Sequence, residues 1–324
     1  MLPQAFSTSV AEFMAHNRPF FFVVDFEKTQ PQVYPWEEAK RAGFWFDIKG
    51  KTNAPKRPTT LHQPELVAHP ISKKQYTQAF DHVKTNIIQG NSFLANLTFP
   101  TPIQLNGSLA DVFTRSKAPY KLYKKEAFVV FSPESFVKLK NGFIYTYPMK
   151  GTIDATAPNA LEELQHNPKE QFEHNTIVDL MRNDLSQIAR EVTVTRFRYP
   201  QTLTTQRGEL IQTSSEIRGK LRPDWKEKLG ELLLSLLPAG SISGSPKAKT
   251  CAIIREAEKK KRGYFTGVFG IYDGETLDSG VMIRYIEQHN NGQAFFRSGG
   301  GITALSEASD EYHELLQKVY LPIF

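Results

Sequence analysis

The stretch AFVVFSPESFVKLKNGFIYTYPMKGT, residues 127–152, decides how this part of the chain folds. Residues 127–131 predict a buried strand that ends at Ser-Pro-Glu, and residues 135–140 predict a second strand. Asn141-Gly142 predicts a tight turn, because a two-residue hairpin loop needs positive φ at both positions. Residues 143–147 then form the returning strand, so the stretch predicts an antiparallel hairpin.

The register of this hairpin places an acid near an amine. If Lys140 pairs with Phe143, counting back puts Glu134 opposite Met149, next to Lys150. We therefore expect a carboxyl and an amine at the open end of one hairpin. Strict alternation would place them on opposite faces, unless one of the two prolines in the stretch interrupts the pairing.

Composition describes an ordinary globular protein. The 324 residues are 40% hydrophobic and carry a net charge of +6. The basic runs lack a nucleic-acid-binding signature, and a solvated surface explains them better than a general attraction for an anionic substrate. No apolar run approaches the length of about 18 residues that suggests a membrane span. The lone Cys251 permits no intramolecular disulfide, so we expect a reducing, cytoplasmic compartment and no membrane association.

Hairpins and helices alternate along most of the chain. Strands are predicted at residues 20–26 and 43–48, and the Pro-, Thr- and Lys-rich residues 49–64 form the one plausible internal boundary. We therefore predict a short β-rich amino-terminal subdomain, residues 1–70, and a core, residues 71–324, most simply integrated into one domain. Hairpins mixed with segregated helices predict the α+β class with mainly antiparallel sheet.

Helix signals recur through the core. Helices are predicted at about residues 72–89, 168–183, 227–237, 246–260 and 309–320. The first begins at a serine cap and ends at a glycine. The fourth has a proline at its first helical position.

The segment after Tyr264 predicts an antiparallel meander with turns at Asp273-Gly274 and Asn291-Gly292. Counting from these turns places Arg284 near Tyr264 and near glycines 299–301, at one end of one sheet. Glycines let a ligand approach the backbone closely, and an arginine can hold a carboxylate in two parallel hydrogen bonds. The alternative is a tight bend with a structural arginine.

Two predicted helices carry glutamates three residues apart, Glu170 with Glu173 and Glu311 with Glu314. That spacing puts both carboxylates of a pair on one helix face, about 5–6 Å apart. Four clustered carboxylates repel one another unless a cation lies between them, and oxygen ligands suit Mg²⁺. The simpler alternative, which the spacing alone favours, is two exposed helix faces.

Residues 240–247, GSISGSPK, form a Gly/Ser loop that leads into a helix. Free N–H groups and the helix dipole at such a position favour an anion. The spacing differs from that of a P-loop and Pro246 precedes Lys247, so we reject nucleotide binding. A simple capping loop is equally favoured.

Together and in this order, these segments resemble the chorismate-utilising enzymes, from about residue 72 to the carboxyl terminus. The family includes aminodeoxychorismate, anthranilate, isochorismate and salicylate synthases. The matching segments are SPESF at 132–136, EHNTIVDLMRND at 173–184, LPAGSISGSPK at 237–247, RGY at 262–264, IR at 283–284, GGGI at 299–302 and EYHE at 311–314. The resemblance implies two packed, mainly antiparallel sheets with helices outside and the active site in the cleft between them.

The resemblance also implies a role for each matching residue. Glu134 would be the general acid that protonates the departing C4 hydroxyl of chorismate. Glu173 and Glu314 would bind Mg²⁺ directly, with Glu170 and Glu311 close by. Substrate-binding positions are implied for Thr152, Ser243, Tyr264, Arg284, Gly299, Gly300, Gly301 and Lys318.

The residue type at the position of Lys150 distinguishes the members of this family. Anthranilate synthases carry alanine here, whereas aminodeoxychorismate synthases carry a lysine that is proposed to attack C2, after which ammonia adds at C4 and expels it. A partly buried lysine beside a bound cation is expected to have a lowered pKa, and Glu134 in a dry site a raised one. The activity implied is that of aminodeoxychorismate synthase component I, which converts chorismate and ammonia to 4-amino-4-deoxychorismate for 4-aminobenzoate and folate synthesis.

Two departures from the family pattern keep alternatives open. Leu94 stands where isochorismate-forming members carry a water-activating lysine, which argues against isochorismate or salicylate synthesis. Gln212 stands at a family histidine and cannot carry charge, so slower turnover is expected. Anthranilate synthase component I remains the enzyme alternative. An alternative of another class is a catalytically idle, chorismate-binding regulatory subunit.

The ammonia source is expected to be a second protein. The lone Cys251 lies in an apolar helical context and does not resemble a glutaminase nucleophile. The resemblance therefore implies a separate glutamine amidotransferase subunit, component II, as the partner.

Overall fold

A computed structural model describes residues 1–55, 63–205 and 208–323, so part of the boundary predicted at 49–64 lies outside the described residues. The strands are β1 (Phe20–Val24), β2 (Gln32–Pro35), β3 (Phe44–Ile48), β4 (Lys51–Thr52), β5 (Glu65–Ala68), β6 (Leu94–Asn106), β7 (Tyr120–Lys124), β8 (Phe128–Ser132), β9 (Ser135–Lys140), β10 (Phe143–Thr146), β11 (Met149–Asp154), β12 (Ala189–Thr205), β13 (Gly208–Leu221), β14 (Gly244–Ser245), β15 (Val268–Tyr272), β16 (Leu277–Val281), β17 (Tyr285–Gln288) and β18 (Ala294–Ile302). The helices are α1 (Pro3–Ala15), α2 (Trp36–Ala39), α3 (Lys73–Ile88), α4 (Leu109–Arg115), α5 (Ala160–His166), α6 (Pro168–Ser186), α7 (Trp225–Ser235), α8 (Lys247–Glu258) and α9 (Ala308–Gln317), with a 3-10 turn at Gly240–Ile242.

The predicted hairpin forms as β9 and β10. Asn141 and Gly142 have φ of 52° and 75°, and Lys140 faces Phe143, as expected. The prediction that this pairing continues to Glu134 opposite Met149 is wrong. β11 pairs with β13 instead of β9, which sets Met149 opposite Ser214. β10 and β11 lie along one edge of β13, and β12 lies along the other.

The strands form two sheets, and every pair in the described residues is antiparallel. The first sheet contains β1, β2, β9–β13, β15 and β16, and the second contains the other nine strands. The predicted meander therefore divides between the sheets, because β15 and β16 pair in the first and β17 and β18 in the second. The chain crosses at Arg284, which has φ of 52°. The expectation that Tyr264, Arg284 and glycines 299–301 share one sheet is wrong.

The two sheets pack face to face through aromatic residues. Phe21 of β1 stacks on Phe46 of β3 with 5.3 Å between ring centroids, and both side chains are fully buried. Helices α1, α6 and α7 pack on the outer face of the first sheet, and α3, α8 and α9 pack against the second. Apolar burial, at about 25 cal/mol per Å² removed from water, stabilises these layers. The predicted class and layer arrangement are confirmed.

The first 70 residues contribute to both sheets. β1 pairs with β15 in the first sheet, and β3 pairs with β7 in the second. The domain division at residue 70 stays a prediction, although strands on both sides of it share the same sheets. Among the described residues, no helix combines the length and the apolar character needed to cross a membrane.

Helix boundaries follow the predicted caps closely. Ser72 Oγ accepts the backbone N–H of Gln75 at the start of α3. Pro246 precedes α8 in an extended conformation, with φ of −67° and ψ of 136°, so it is the residue before the helix rather than its first residue.

Candidate active site

A cavity of about 570 Å³ lies between the two sheets and is also lined by α6, α9 and the loop after α7. It collects most of the residues predicted for the site: Glu134, Lys150, Glu170, Glu173, Ser243, Arg284, Gly299, Gly300, Gly301, Glu311, Glu314 and Lys318. Residues separated by more than 180 positions in sequence thus face one cavity, because strands of both sheets and the two glutamate-bearing helices contribute to its lining.

Two predicted residues are placed differently. The Tyr264 hydroxyl donates to the carbonyl of Gln30 at 3.0 Å and contacts the Gln32 amide, so the expected grip on a substrate carboxylate finds no support. Its neighbour Phe265 lines the cavity instead. For Thr152 only the backbone is described, in register with Gln212 between β11 and β13.

A β-bulge presents Lys150 to the cavity. The pairing of β11 with β13 shifts between Lys150 and Thr152, and Gly151 at the bulge has φ of 77°. The positive φ favours glycine here, and an added Cβ would also press on the ends of two side chains, 2.9 Å from Leu164 Cδ1 and 3.0 Å from Glu170 Oε2. The Thr213 hydroxyl donates to the Lys150 carbonyl and fixes the bulge to β13.

The amine of Lys150 is held by a carboxylate. Its Nζ donates to Glu173 Oε2 at 3.0 Å, and 27% of the lysine side chain is exposed. Burial disfavours the charged form, but the negative charges of Glu173, Glu314 and Glu170 outweigh it, so the pKa of Lys150 is raised. The lowered pKa expected for Lys150 beside a bound cation stays a prediction.

Glu134 lies just before β9 and is partly buried. Burial raises its pKa, although the Ser241 hydroxyl, which donates to Oε1, and the charges of Lys150, Lys318 and Arg284 all oppose that shift. The direction is the one expected for a carboxyl that must stay protonated to act as an acid.

The two glutamate pairs approach the cavity from α6 and from α9. A Cβ at Gly300 would lie 3.2 Å from Glu311 Oε2 and 3.4 Å from Glu314 Oε1, which shows how closely this carboxylate pair meets β18. Among the described residues, no group of three or more His, Cys, Asp or Glu side chains is assembled tightly enough to hold a metal ion. The carboxylate oxygens of the four glutamates are nevertheless the ligand type that suits a hard cation such as Mg²⁺.

Two cations, Lys318 and Arg284, also line the cavity. Lys318 Nζ donates to the Gly299 carbonyl at 2.8 Å and to Glu314, and burial lowers the pKa of Lys318. The guanidinium of Arg284 lies over the Tyr320 ring, 5.4 Å from its centroid. Its Nε is buried and has no hydrogen-bond partner among the described residues.

Hydrogen bonds from its own side chains hold the Gly/Ser loop in place, although no side chain caps the start of α8. Lys247 Nζ donates to Asp184 Oδ2 at 3.0 Å and to the Leu236 carbonyl at 2.9 Å. Ser243 Oγ donates to the Ala239 carbonyl at 2.8 Å and is fully buried.

Sequence reasoning missed several residues that line the cavity. Ser241 lies within the loop that was singled out, but its contact with Glu134 joins positions 107 residues apart and has no local signal. Asn96, Thr98, Thr266 and Arg297 also face the cavity. The two departures, Leu94 and Gln212, both belong to the lining as well.

Comparisons with known proteins agree with this geometry. The family model described as chorismate binding enzyme matches residues 6–323. An uncharacterised PabA-like protein of Pasteurella multocida is 52% identical over 320 residues, 98% of each chain. Aminodeoxychorismate synthase component 1 of Bacillus subtilis is 30% identical over 271 residues, which cover 78% of this chain and 56% of that one.

Solved structures show the same fold. Anthranilate synthase component I from Streptococcus pneumoniae superimposes with a TM-score of 0.67 at 28% identity, over 80% of this chain and 59% of that one. A putative isochorismate synthase from Bacillus anthracis superimposes with a TM-score of 0.71 over 98% of this chain at 18% identity, which bears on the fold alone. With a family match across nearly its whole length, the chain belongs to the chorismate-binding enzymes.

Proposed function

We propose that the protein is an aminodeoxychorismate synthase component I, which converts chorismate and ammonia to 4-amino-4-deoxychorismate and water. The observation that carries the proposal is Lys150, a lysine presented by a glycine bulge into the same cavity as the acid Glu134. Anthranilate formation has no use for an amine at this position. The similarity to the Bacillus subtilis enzyme supports the same reaction.

Glu134 is proposed as the general acid. Burial raises its pKa, the direction that favours a protonated carboxyl, and its proton goes to the departing C4 hydroxyl, which leaves as water. The Ser241 hydroxyl hydrogen-bonds one carboxyl oxygen and orients the group.

Lys150 is proposed as the nucleophile that forms a bond to C2 as the C4 hydroxyl leaves. The lysine must first lose a proton, and solvent takes it, since the side chain is 27% exposed and Glu173, in contact with Nζ at 3.0 Å, is a proposed metal ligand. Ammonia then adds at C4, the bond from Lys150 to C2 breaks, and the amine returns to the enzyme.

Arg284 and Lys318 are proposed to bind the two substrate carboxylates. Arg284 lines the cavity, and a guanidinium can hold the enolpyruvyl carboxylate in two parallel bonds. Lys318, which donates to the Gly299 carbonyl, would meet the C1 carboxylate where the glycine backbone comes close.

A magnesium ion is part of the proposal. Glu173 and Glu314 would hold it, with Glu170 and Glu311 nearby, since all four carboxylates face the cavity. When bound, Mg²⁺ would neutralise these carboxylates and anchor the C1 carboxylate of the substrate.

The proposed partner is a glutamine amidotransferase subunit that supplies ammonia, since aminodeoxychorismate synthase component 1 is among the relatives. The product would require a separate lyase to become 4-aminobenzoate on the way to folate. A cytoplasmic location is proposed with this role.

Product analysis tests the proposal. Purified protein would be incubated with chorismate, Mg²⁺ and ammonium at about pH 8.5, and the products separated by chromatography and identified by mass. Lys150→Ala tests the nucleophile. Lys140→Ala, an exposed lysine on β9, is the matched control.

The expected result is aminodeoxychorismate from the wild type and from Lys140→Ala, with turnover by Lys150→Ala reduced at least about 10²-fold. Anthranilate with pyruvate as the product would assign the protein to the alternative reaction. Chorismate that binds but is not consumed, even after a glutaminase subunit is added, would refute the proposal and indicate an idle regulatory subunit.

A further inference from the structure

A buried arginine that takes no part in the proposed chemistry connects two segments that line the cavity, β6 and the loop at 240–243, to helix α8. The Arg262 side chain is 1% exposed and forms a two-pronged ion pair with Glu258, with Nε to Oε2 at 3.0 Å and Nη2 to Oε1 at 2.6 Å. Two of its remaining donor bonds go to backbone carbonyls, Nη1 to Ile242 at 2.8 Å and Nη2 to Asn96 at 2.6 Å. A buried charge persists only when it is fully paired, so this geometry is tightly specified.

The partner carboxylate extends the same network. Glu258 Oε1 also accepts the backbone N–H and the hydroxyl of Thr98, each at 2.9 Å. On β6, the Asn96 N–H donates to the Ser243 carbonyl at 3.0 Å. The ion pair therefore ties the loop at 240–243 to β6 and α8.

A second ion pair holds the other side of this loop. Asp184 of α6 is 6% exposed and accepts from Lys247, and a Cβ at Gly240 would lie only 2.9 Å from Asp184 Oδ2. The loop is thus held between two buried charges, and Ser241 at its centre donates to Glu134.

We propose that Arg262 is a positioning residue that, through the Ile242 and Asn96 carbonyls, sets the hydrogen bond from Ser241 to the proposed catalytic acid Glu134. Lysine cannot replace it, because an ammonium lacks the planar fork that serves the carboxylate and two carbonyls together. The catalytic consequence rests on the proposed function, whereas the structural link does not.

The charged groups that face Glu134 are Lys150 of β11, Lys318 after α9 and Arg284 between β16 and β17. None of them contacts the guanidinium of Arg262 directly in the described residues. A change at Arg262 should therefore reach Glu134 through the loop. Loss of a hydroxyl donor from a carboxylate removes stabilisation of its charged form, so the carboxyl pKa should rise.

The experiment is a pH titration of the Glu134 carboxyl by infrared difference spectroscopy, with Glu134→Gln used to assign the band. Ser241→Ala should raise the pKa by about one unit, which is the loss of one hydrogen bond to a charged acceptor. Arg262→Lys should raise it in the same direction by up to the same amount. Arg255→Lys, the same change at an exposed site of α8, should leave it unchanged.

Activity gives a second readout. The descending limb of the pH–rate profile should move to higher pH in Ser241→Ala, and it should move in the same direction in Arg262→Lys. If Arg262→Lys does not fold, Glu258→Gln removes the charge of the partner at constant shape and should show a smaller shift in the same direction.

A Glu134 pKa that moves with Ser241→Ala but not with Arg262→Lys or Glu258→Gln would overturn the link. An unchanged pKa in Ser241→Ala would overturn it as well, because the loop would then not act on the acid. A shifted titration in a protein that never consumes chorismate would support the link and refute the proposed function, so the two failures are distinguishable.

Discussion

Alanine substitution at the three consecutive glycines of β18 should give two opposite kinds of defect. At Gly299 an added Cβ would lie 2.3 Å from the Leu97 carbonyl oxygen and 2.6 Å from Thr98 Cγ2. A backbone carbonyl in the middle of a paired strand cannot move aside. Gly299→Ala should therefore lower the free energy of unfolding by about 2–3 kcal/mol, the upper range for overpacking.

At the next two positions the neighbours are the ends of side chains. A Cβ at Gly300 meets the carboxylates of Glu311 and Glu314 at 3.2 and 3.4 Å, and one at Gly301 meets Leu94 Cδ1 at 3.1 Å and Lys150 Nζ at 3.4 Å. These ends can shift by a few tenths of an ångström. Both variants should therefore keep the free energy of unfolding within about 1 kcal/mol of the wild type.

Their defect should appear in ligand binding and turnover instead. Gly300→Ala displaces two proposed metal ligands, and Gly301→Ala crowds the proposed nucleophile, so we expect chorismate turnover to fall at least about tenfold in each.

Urea unfolding and steady-state turnover of the three variants would separate the effects. A Gly299→Ala protein as stable as the wild type would refute the steric argument. A fully active Gly300→Ala protein would show that the carboxylates of α9 do not need their present positions.

Further substitutions test individual contacts. Arg284→Lys should weaken chorismate binding about 10–100-fold by calorimetry, because one ammonium cannot replace a two-bond contact with a carboxylate; unchanged affinity would place that carboxylate elsewhere. Tyr264→Phe should leave chorismate affinity within about twofold and cost about 1 kcal/mol of stability, because the hydroxyl serves Gln30 and Gln32. Asp273 is partly buried, but hydrogen bonds from Lys51, Thr276 and Glu275 outweigh that and lower its pKa to about 2. Its stabilisation is present above about pH 4 and is lost as the pH falls towards 2, so Asp273→Asn should cost about 1 kcal/mol at pH 7, after allowance for screening, and nearly nothing at pH 2 by urea unfolding.

Short-range sequence rules predicted the features whose backbone conformation is determined by neighbouring residues. The β9–β10 turn was predicted because Asn141 and Gly142 both accept positive φ, and the structure has them there. The serine cap of α3 and the two glutamate-bearing helices follow from the same kind of short-range rule.

The errors concern pairings that no local rule contains. β11 pairs with residues 210–214, which lie about 60 positions further along the chain, so counting back from the turn placed Met149 wrongly. The crossing at Arg284 divides a meander between two sheets without a glycine or proline to mark it. Even so, Glu134 and Lys150 line one cavity, because the loop before β9 and the bulge in β11 open towards the same space.

The direction of the Lys150 pKa depends on the charges that lie beside the amine, and the sequence does not show which carboxylate is in contact with it. Without a cation, Glu173 at 3.0 Å helps to raise the pKa of Lys150. Only the tertiary structure contains that distance, whereas for Glu134 the effect of burial is the largest and the expected direction stands.

The balance of charge in the cavity predicts that a cation and the substrate bind together. The lining contains the carboxylates of Glu134, Glu170, Glu173, Glu311 and Glu314 and the cations Lys150, Arg284, Arg297 and Lys318. Arg297 is already paired with Glu287 at 2.8 Å, so three cations face four carboxylates even when Glu134 is protonated. A substrate with two carboxylates would add two negative charges to a space that already has an excess of one. A divalent cation would cancel the substrate's charge, and because coupling between two ligands is reciprocal, chorismate should tighten Mg²⁺ binding by the same factor by which Mg²⁺ tightens chorismate binding.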